Sequence, residues 1–188
     1  GLVLSADRAA NKPLCAFFIA SLLLSSSCFV PLATAQNLPA GGTVVHGSAD
    51  LDYSQESALH INQSSQKAII NWDSFNIGAN QVTTFHQPNS DAIAINRVVG
   101  NSTDPTQILG GLKANGQIIV LDGNGVFFGP NSRVDVGGLL VSTGDIKDHE
   151  FINSAAINIH SATTDGAIIN QGRITAKEAG IVAFFFFF

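Results

Sequence analysis

Between Gly116 and Ser142 the sequence reads GQIIVLDGNGVFFGPNSRVDVGGLLVS, and no apolar run in it is long enough for a helix. Ile118–Leu121 stops at Asp122-Gly123-Asn124-Gly125. Val126–Phe128 stops at Gly129-Pro130-Asn131-Ser132. Val134-Asp135-Val136 stops at Gly137-Gly138, and Leu139-Leu140-Val141 follows. Every punctuating residue either tolerates positive φ or sets a turn. Strands this short, interrupted this regularly, predict a chain wound into a coil rather than a meander of long hairpins. Such a coil suits an extended surface or binding protein better than a pocketed enzyme.

The rest of the chain repeats the pattern. Thr43-Val44-Val45, Leu59-His60-Ile61, Ala68–Trp72, Val82–Phe85 and Ala92–Ile95 are brief apolar runs set apart by Gly, Pro, Asn and Ser. Ala167–Ala176, reading AIINQGRITA, has the composition of one rung of a β-solenoid, and Ala156-Ile157-Asn158-Ile159 resembles its start. In such a rung alternate residues point inward and stack on the next rung, while Gly and Asn take the corners. One helical turn is expected, at Asp104–Leu109, with Asp104 as N-cap, Pro105 as first helical residue and Gly110-Gly111 as its end. Phe184–Phe188 fits no rung, because strand alternation buries only every second residue; the expectation is that the natural sequence diverges or is cut after Ala183.

Of 188 residues 45% are apolar and only 12% charged, with a net charge of −5, a balance opposed to disorder. The nine Lys and Arg form no cluster to neutralise phosphates, which excludes a nucleic-acid partner. The chain has no Met and begins at Gly1, so its natural start is expected upstream. Residues 1–35 read as a secretory signal: a weakly basic start at Arg8 and Lys12, an apolar run from Leu14 to Val30, and Ala33-Thr34-Ala35 as the cleavage signature. Both cysteines, Cys15 and Cys28, fall inside it, so the exported part from residue 36 on holds no thiol and no disulfide.

Taken in order, several blocks resemble the secretion domain at the N-terminus of two-partner-secretion exoproteins, the filamentous-haemagglutinin-type adhesins and haemolysins. They are Leu38-Pro39-Ala40-Gly41-Gly42, INQSSQKAIINWDSFNIGANQ from Ile61, FHQPNSDAIAINRVVG from Phe85, the long block from Ile108 to Thr143, and AIINQGRITAKEAGIVA from Ala167. The resemblance covers residues 36–183. It implies an all-β fold, a right-handed parallel β-helix with a small extra antiparallel sheet and N-terminal strands covering one end. It implies a secreted role at the cell surface or beyond it: an N-terminal domain recognised in the periplasm by a cognate outer-membrane barrel transporter, then nucleating the β-helix of a large adhesin. Contact with a host surface would belong to downstream sequence. The Gly1–Leu4 region resembles the remnant of an extended signal. One departure stands out. The family's Asn-Pro-Asn-Gly turn is here Asp122-Gly123-Asn124-Gly125, which keeps Asn124 and Gly125 and loses the stiffening Pro.

Candidate sites are few. His46, His60, His86, His149 and His160 show no metal-ligand spacing along the chain, and no cofactor or metal is expected. Asn96 and Arg97 are the strongest polar candidates. Arg97 either fastens a loop at a rung corner or meets the transporter. Asp122, Gly123, Asn124 and Gly125 carry the same two readings, corner turn or recognition. Trp72 and Phe75 read as core or cap packing. Asn62-Gln63-Ser64 and Asn101-Ser102-Thr103 have the form of glycosylation acceptors, a pattern that chance produces readily in an Asn- and Ser-rich chain. The alternative function is a solenoid that binds or cleaves polysaccharide. Its closest Asp pair is Asp50 and Asp52, which alternation places on one face of a strand without an evident partner base.

Overall fold

A computed structural model describes residues 37–161, 165–177 and 180–187; the signal segment, with Ala33 and Ala35, lies outside them. The chain runs through β1 (Thr43–His46), β2 (Ala49–Gln55), β3 (Ala58–Gln63), β4 (Lys67–Trp72), β5 (Val82–His86), β6 (Ile93–Val98), β7 (Thr106–Ile108), β8 (Gly111–Ala114), β9 (Gln117–Leu121), β10 (Gly125–Phe128), β11 (Arg133–Val136) and β12 (Gly138–Ser142). A short helix α1 (Asp148–Asn153) precedes β13 (Ala167–Asn170), β14 (Arg173–Ala176) and β15 (Val182–Phe185).

These strands build three faces of a parallel β-helix. The first face has the order β1-β4-β6-β9-β12-β15, the second β14-β11-β8-β5-β3-β2, and the third β13-β10-β7. One full turn is β10-β11-β12, which together with β9 is the Gly116–Ser142 stretch. Val126 lies on Thr106, Val134 on Leu112 and Leu139 on Ile118, so a turn takes about 20 residues.

Stacking explains the sequence pattern. On the second face, Leu112, Val134 and Ile174 form one inward column, while Lys113, Asp135 and Thr175 form the neighbouring outward row. That face is wet outside, so its strands alternate. Strands of the first face are apolar on both sides. Ala94, Ile118, Val120, Leu139 and Val141 face the interior column. Ile69, Ile95, Ile119 and Leu121 face outward into a second cluster, closed by Ile146 and by Phe151 of α1. A strand buried on both sides reads as a continuous apolar run, as Ala68–Ile70 and Ile118–Leu121 do.

Among the named strands, antiparallel pairing is confined to the beginning; an isolated antiparallel bridge also joins Asp145 and His160. β1 pairs with β4 and β2 with β3, each extending a parallel face by one strand. Leu38, Val44, Ala49 and Leu51 pack on the interior column there. Trp72 and Phe75 are fully buried with ring centroids 5.4 Å apart, as core packing requires. A side chain at Gly42 would strike the Trp72 ring and Leu51, so only glycine lets this segment lie so close. The Tyr53 hydroxyl donates to the Pro39 carbonyl at 2.7 Å and holds the segment down.

Three expectations need correction. The helical turn at Asp104–Leu109 is instead β7: Thr106–Ile108 pairs in parallel with β10, and ladder bonds outweigh a local N-cap. Ala156–Ile159 is not a rung. Ile157 and Ile159 pack on the outer cluster, because residues 143–161 leave the column after β12 and return along the first face. The strand that the sequence pattern ended at Ala183 continues to Phe185. Phe184 turns inward, 6.2 Å from the Phe128 ring, and Phe185 turns out.

Phe128 is fully buried where the third face meets the column. Phe128→Ala should destabilise the domain by about 3–5 kcal/mol, measured as a lower urea midpoint with an unchanged slope.

Candidate functional site

The two groups singled out in the sequence meet at one corner, where the first face passes into the third. Arg97 is in register with Leu121, the residue just before Asp122. Strand alternation sends Asn96 inward and Arg97 outward from the same turn.

Asn96 is fully buried. Its Oδ1 accepts from Trp72 Nε1 at 3.0 Å, and its Nδ2 donates to the Ile119 carbonyl at 3.4 Å. The amide thus supplies the indole N–H with a partner that an aliphatic residue could not. It does not face solvent.

Asp122 is 2% exposed, and among the described residues no cation pairs with it. Its Oδ1 accepts from the Asn124 backbone N–H at 2.9 Å, an Asx turn. Its Oδ2 accepts from the Thr106 N–H at 3.0 Å and from the Thr106 hydroxyl at 2.7 Å. The carboxylate therefore closes its own turn and ties it to the neighbouring rung. These bonds hold the corner without the proline. Asn124 Nδ2 donates to the Ser102 carbonyl at 2.7 Å, binding the loop before β7 to the same corner. Gly125 has φ +102°, and a Cβ there would lie 2.3 Å from the Ala167 carbonyl oxygen. Gly123 is half-buried, with the next rung's Gly166 pressed on its carbonyl.

Arg97, 14% exposed, gathers the segment that leaves this corner. Nε donates to Asp145 at 2.8 Å and Nη2 to Asp148 at 2.7 Å. Nη2 also donates to the Ile146 carbonyl, and Nη1 to the Asn71 side chain at 3.3 Å. Lys67 performs the matching task at the other end of α1. Its Nζ donates to the carbonyls of Phe151 at 2.6 Å and Ser154 at 2.8 Å and lies over the Phe151 ring. A cation at a helix C-terminus suits both the free carbonyls and the dipole. Lys67 and α1 escaped the sequence reading; Asp148 and Glu150 ahead of the Phe151-Ile152 pair were the only local signal.

Within the segment, a hydrogen bond from His160 at 3.0 Å holds the Glu150 carboxyl below its ordinary value. A depressed carboxylate pKa stabilises the fold above the unfolded value and loses that contribution as pH falls through the folded one.

Asp50 and Asp52 do share the outer face of β2. Asp52 is already engaged by the Ser54 N–H at 2.8 Å, whose bond keeps its carboxyl below the usual range. Among the described residues no group of three or more His, Cys, Asp or Glu side chains is placed to hold a metal ion.

Three comparisons bear on this geometry. The family model of the TPS secretion domain matches residues 35–185. Two heme/hemopexin-binding proteins of Haemophilus influenzae are 32% and 31% identical, over 82% and 83% of this chain and 16% and 17% of their own. The chain thus spans about one-sixth of the length of the curated relatives it matches. The crystal structure of the HMW1 secretion domain from Haemophilus influenzae superposes with a TM-score of 0.70 at 30% identity, over 78% of this chain and 38% of that one.

Asp122→Ala would strand two buried donors of Thr106 and should cost about 2–4 kcal/mol in urea denaturation, with Asp122→Asn costing less. Arg97→Ala should leave the column folded but speed amide exchange in residues 145–161, an effect that mass spectrometry of deuterated peptides resolves.

Proposed function

The chain belongs to the TPS secretion domain family, and on that premise we propose that it is the export address of a large adhesin- or haemagglutinin-like exoprotein, bound in the periplasm by the soluble modules of its transporter. TPS domains work with a cognate outer-membrane transporter, and membership implies export through the outer membrane to the cell surface or beyond it. The observation that carries the proposal is the family match, which runs from residue 35 to residue 185 and takes in every rung. The absence of cysteine after Cys28 supports it, because no disulfide formed on the way could block passage of an unfolded chain.

In this reading the Asp122–Gly125 corner and Arg97 lie at the recognised end of the first face. Asn124 is half-buried and Asp122 buried, so Asn124 is the member that a transporter module would touch, with Asp122 and Gly125 positioning it. Once outside, the stacked rungs give the following sequence a ready-made edge to add to, which is how a solenoid propagates from a nucleus. Haem or hemopexin binding, from which the relatives take their name, would belong to the remainder of the exoprotein rather than to this domain.

Coexpression with the cognate transporter, followed by assay of the medium, tests this. The chain should appear outside only when the transporter is present. Retention in the periplasm beside an intact transporter would count against the export reading. Asn124→Ala should reduce export while shifting Tm by no more than about 2 °C; unchanged export would remove the corner from recognition.

A further inference from the structure

The stacking of rungs brings together two histidines that the chain keeps apart. His60 on β3 and His86 on β5 are 26 residues apart, about one turn of the coil. Both project from the outer side of the second face, His60 half-buried and His86 exposed. His60 Nδ1 lies 3.0 Å from His86 Nε2. The ring centroids are 5.3 Å apart and the planes differ by only 16°. The two nitrogens therefore lie on the facing edges of nearly parallel rings, between the centroids, and point toward one another.

We propose that His60 and His86 form a two-histidine site for a borderline divalent transition metal, of which Cu(II), Ni(II) and Zn(II) are the members that favour imidazole. Metal–imidazole bonds of about 2.0–2.1 Å place two cis nitrogens about 2.8 Å apart in a square plane and about 3.3 Å apart in a tetrahedron. The 3.0 Å separation lies between those limits, so chelation needs side-chain adjustments of a few tenths of an ångström together with rotation of the rings. The exposure of His86 permits this.

One carboxylate flanks the pair on the β2 side. Asp52 stands directly across β2–β3 from His60. Lys113 is separated from His60 by Thr84 in the same row, and it lines one cleft with His86, Asp135 and Lys177. In the metal-free protein one ring donates its proton to the other. On binding, the donor ring moves that proton to its outer nitrogen through water, which frees both inner lone pairs for the metal. Water fills the remaining coordination positions, so the pair needs no third protein ligand. The bound ion would staple the rungs carrying β3 and β5 across the outer face.

The test is titration of the full chain, prepared without an affinity tag, with Cu(II) sulfate, followed by calorimetry and electron paramagnetic resonance. One equivalent should bind with hyperfine structure from two imidazole nitrogens. His60→Gln and His86→Gln should each weaken binding about a hundredfold, because either change destroys the chelate. His149→Gln should bind as the parent does. Circular dichroism on the metal-free variants separates lost ligation from lost fold. Spectra showing one nitrogen or none, unchanged affinity in folded His60→Gln and His86→Gln, or loss of the ion in His149→Gln alone would each overturn the proposal.

Discussion

In-register parallel pairing between successive turns is the constraint from which the rest of the structure follows. Once Leu112, Val134 and Ile174 are stacked, every inward position must be filled by a residue that fits the one above and the one below. Every corner must return the chain to the same height. Gly125 meets that demand with a conformation no other residue adopts cheaply, and with an absent Cβ that lets Ala167 sit against it. Asp122 meets it differently, by bonding one carboxylate oxygen to its own turn and the other to Thr106 of the adjacent rung. A corner here is a joint between turns as well as a bend within one.

The same constraint creates a problem on the first face. Its strands are apolar on both sides, so the column alone leaves Ile69, Ile95, Ile119 and Leu121 without cover. Residues 143–161 provide it, and two cations hold them. Arg97 collects Asp145, Asp148 and the Ile146 carbonyl near the start of α1, and Lys67 collects the carbonyls at its end. Both cations stand on strands of the face being covered, so the cover is registered to the rungs beneath it. The Asp partners are about half exposed, so the ion pairs contribute modestly to stability. Their weight lies in position: they set where the apolar surfaces of Ile146 and Phe151 come down.

Much of the fold was legible in the residues. Alternation in RVDV and RITA marked a face with one wet side, and the continuous runs QIIVL and GLLVS marked a face with none. The punctuation at Asp122–Gly125 and Gly129–Ser132 marked the corners. Asp104-Pro105 misled because its N-cap grammar is local, whereas Thr106 has its hydroxyl and its N–H taken by Asp122, sixteen positions later. Ala156–Ile159 misled because an apolar–polar–apolar run looks the same whether it faces the inside of the column or clamps its outside. Arg97 was legible as a lone cation after a strand, but its carboxylates lie 48 and 51 residues away, and no local pattern announces them.

The sequence by itself determined that the chain would be a coil of short parallel strands with glycine and asparagine at its corners. Those preferences are written in each residue's backbone freedom and in alternation over a few positions, both of which are local. Only the tertiary structure decided which distant residues of different turns meet: Asp122 with Thr106, Arg97 with Asp145, His60 with His86. The reason is physical. The height of each rung depends on the length of every corner beneath it, and a loop of variable length between two strands carries no mark of the register in which they meet.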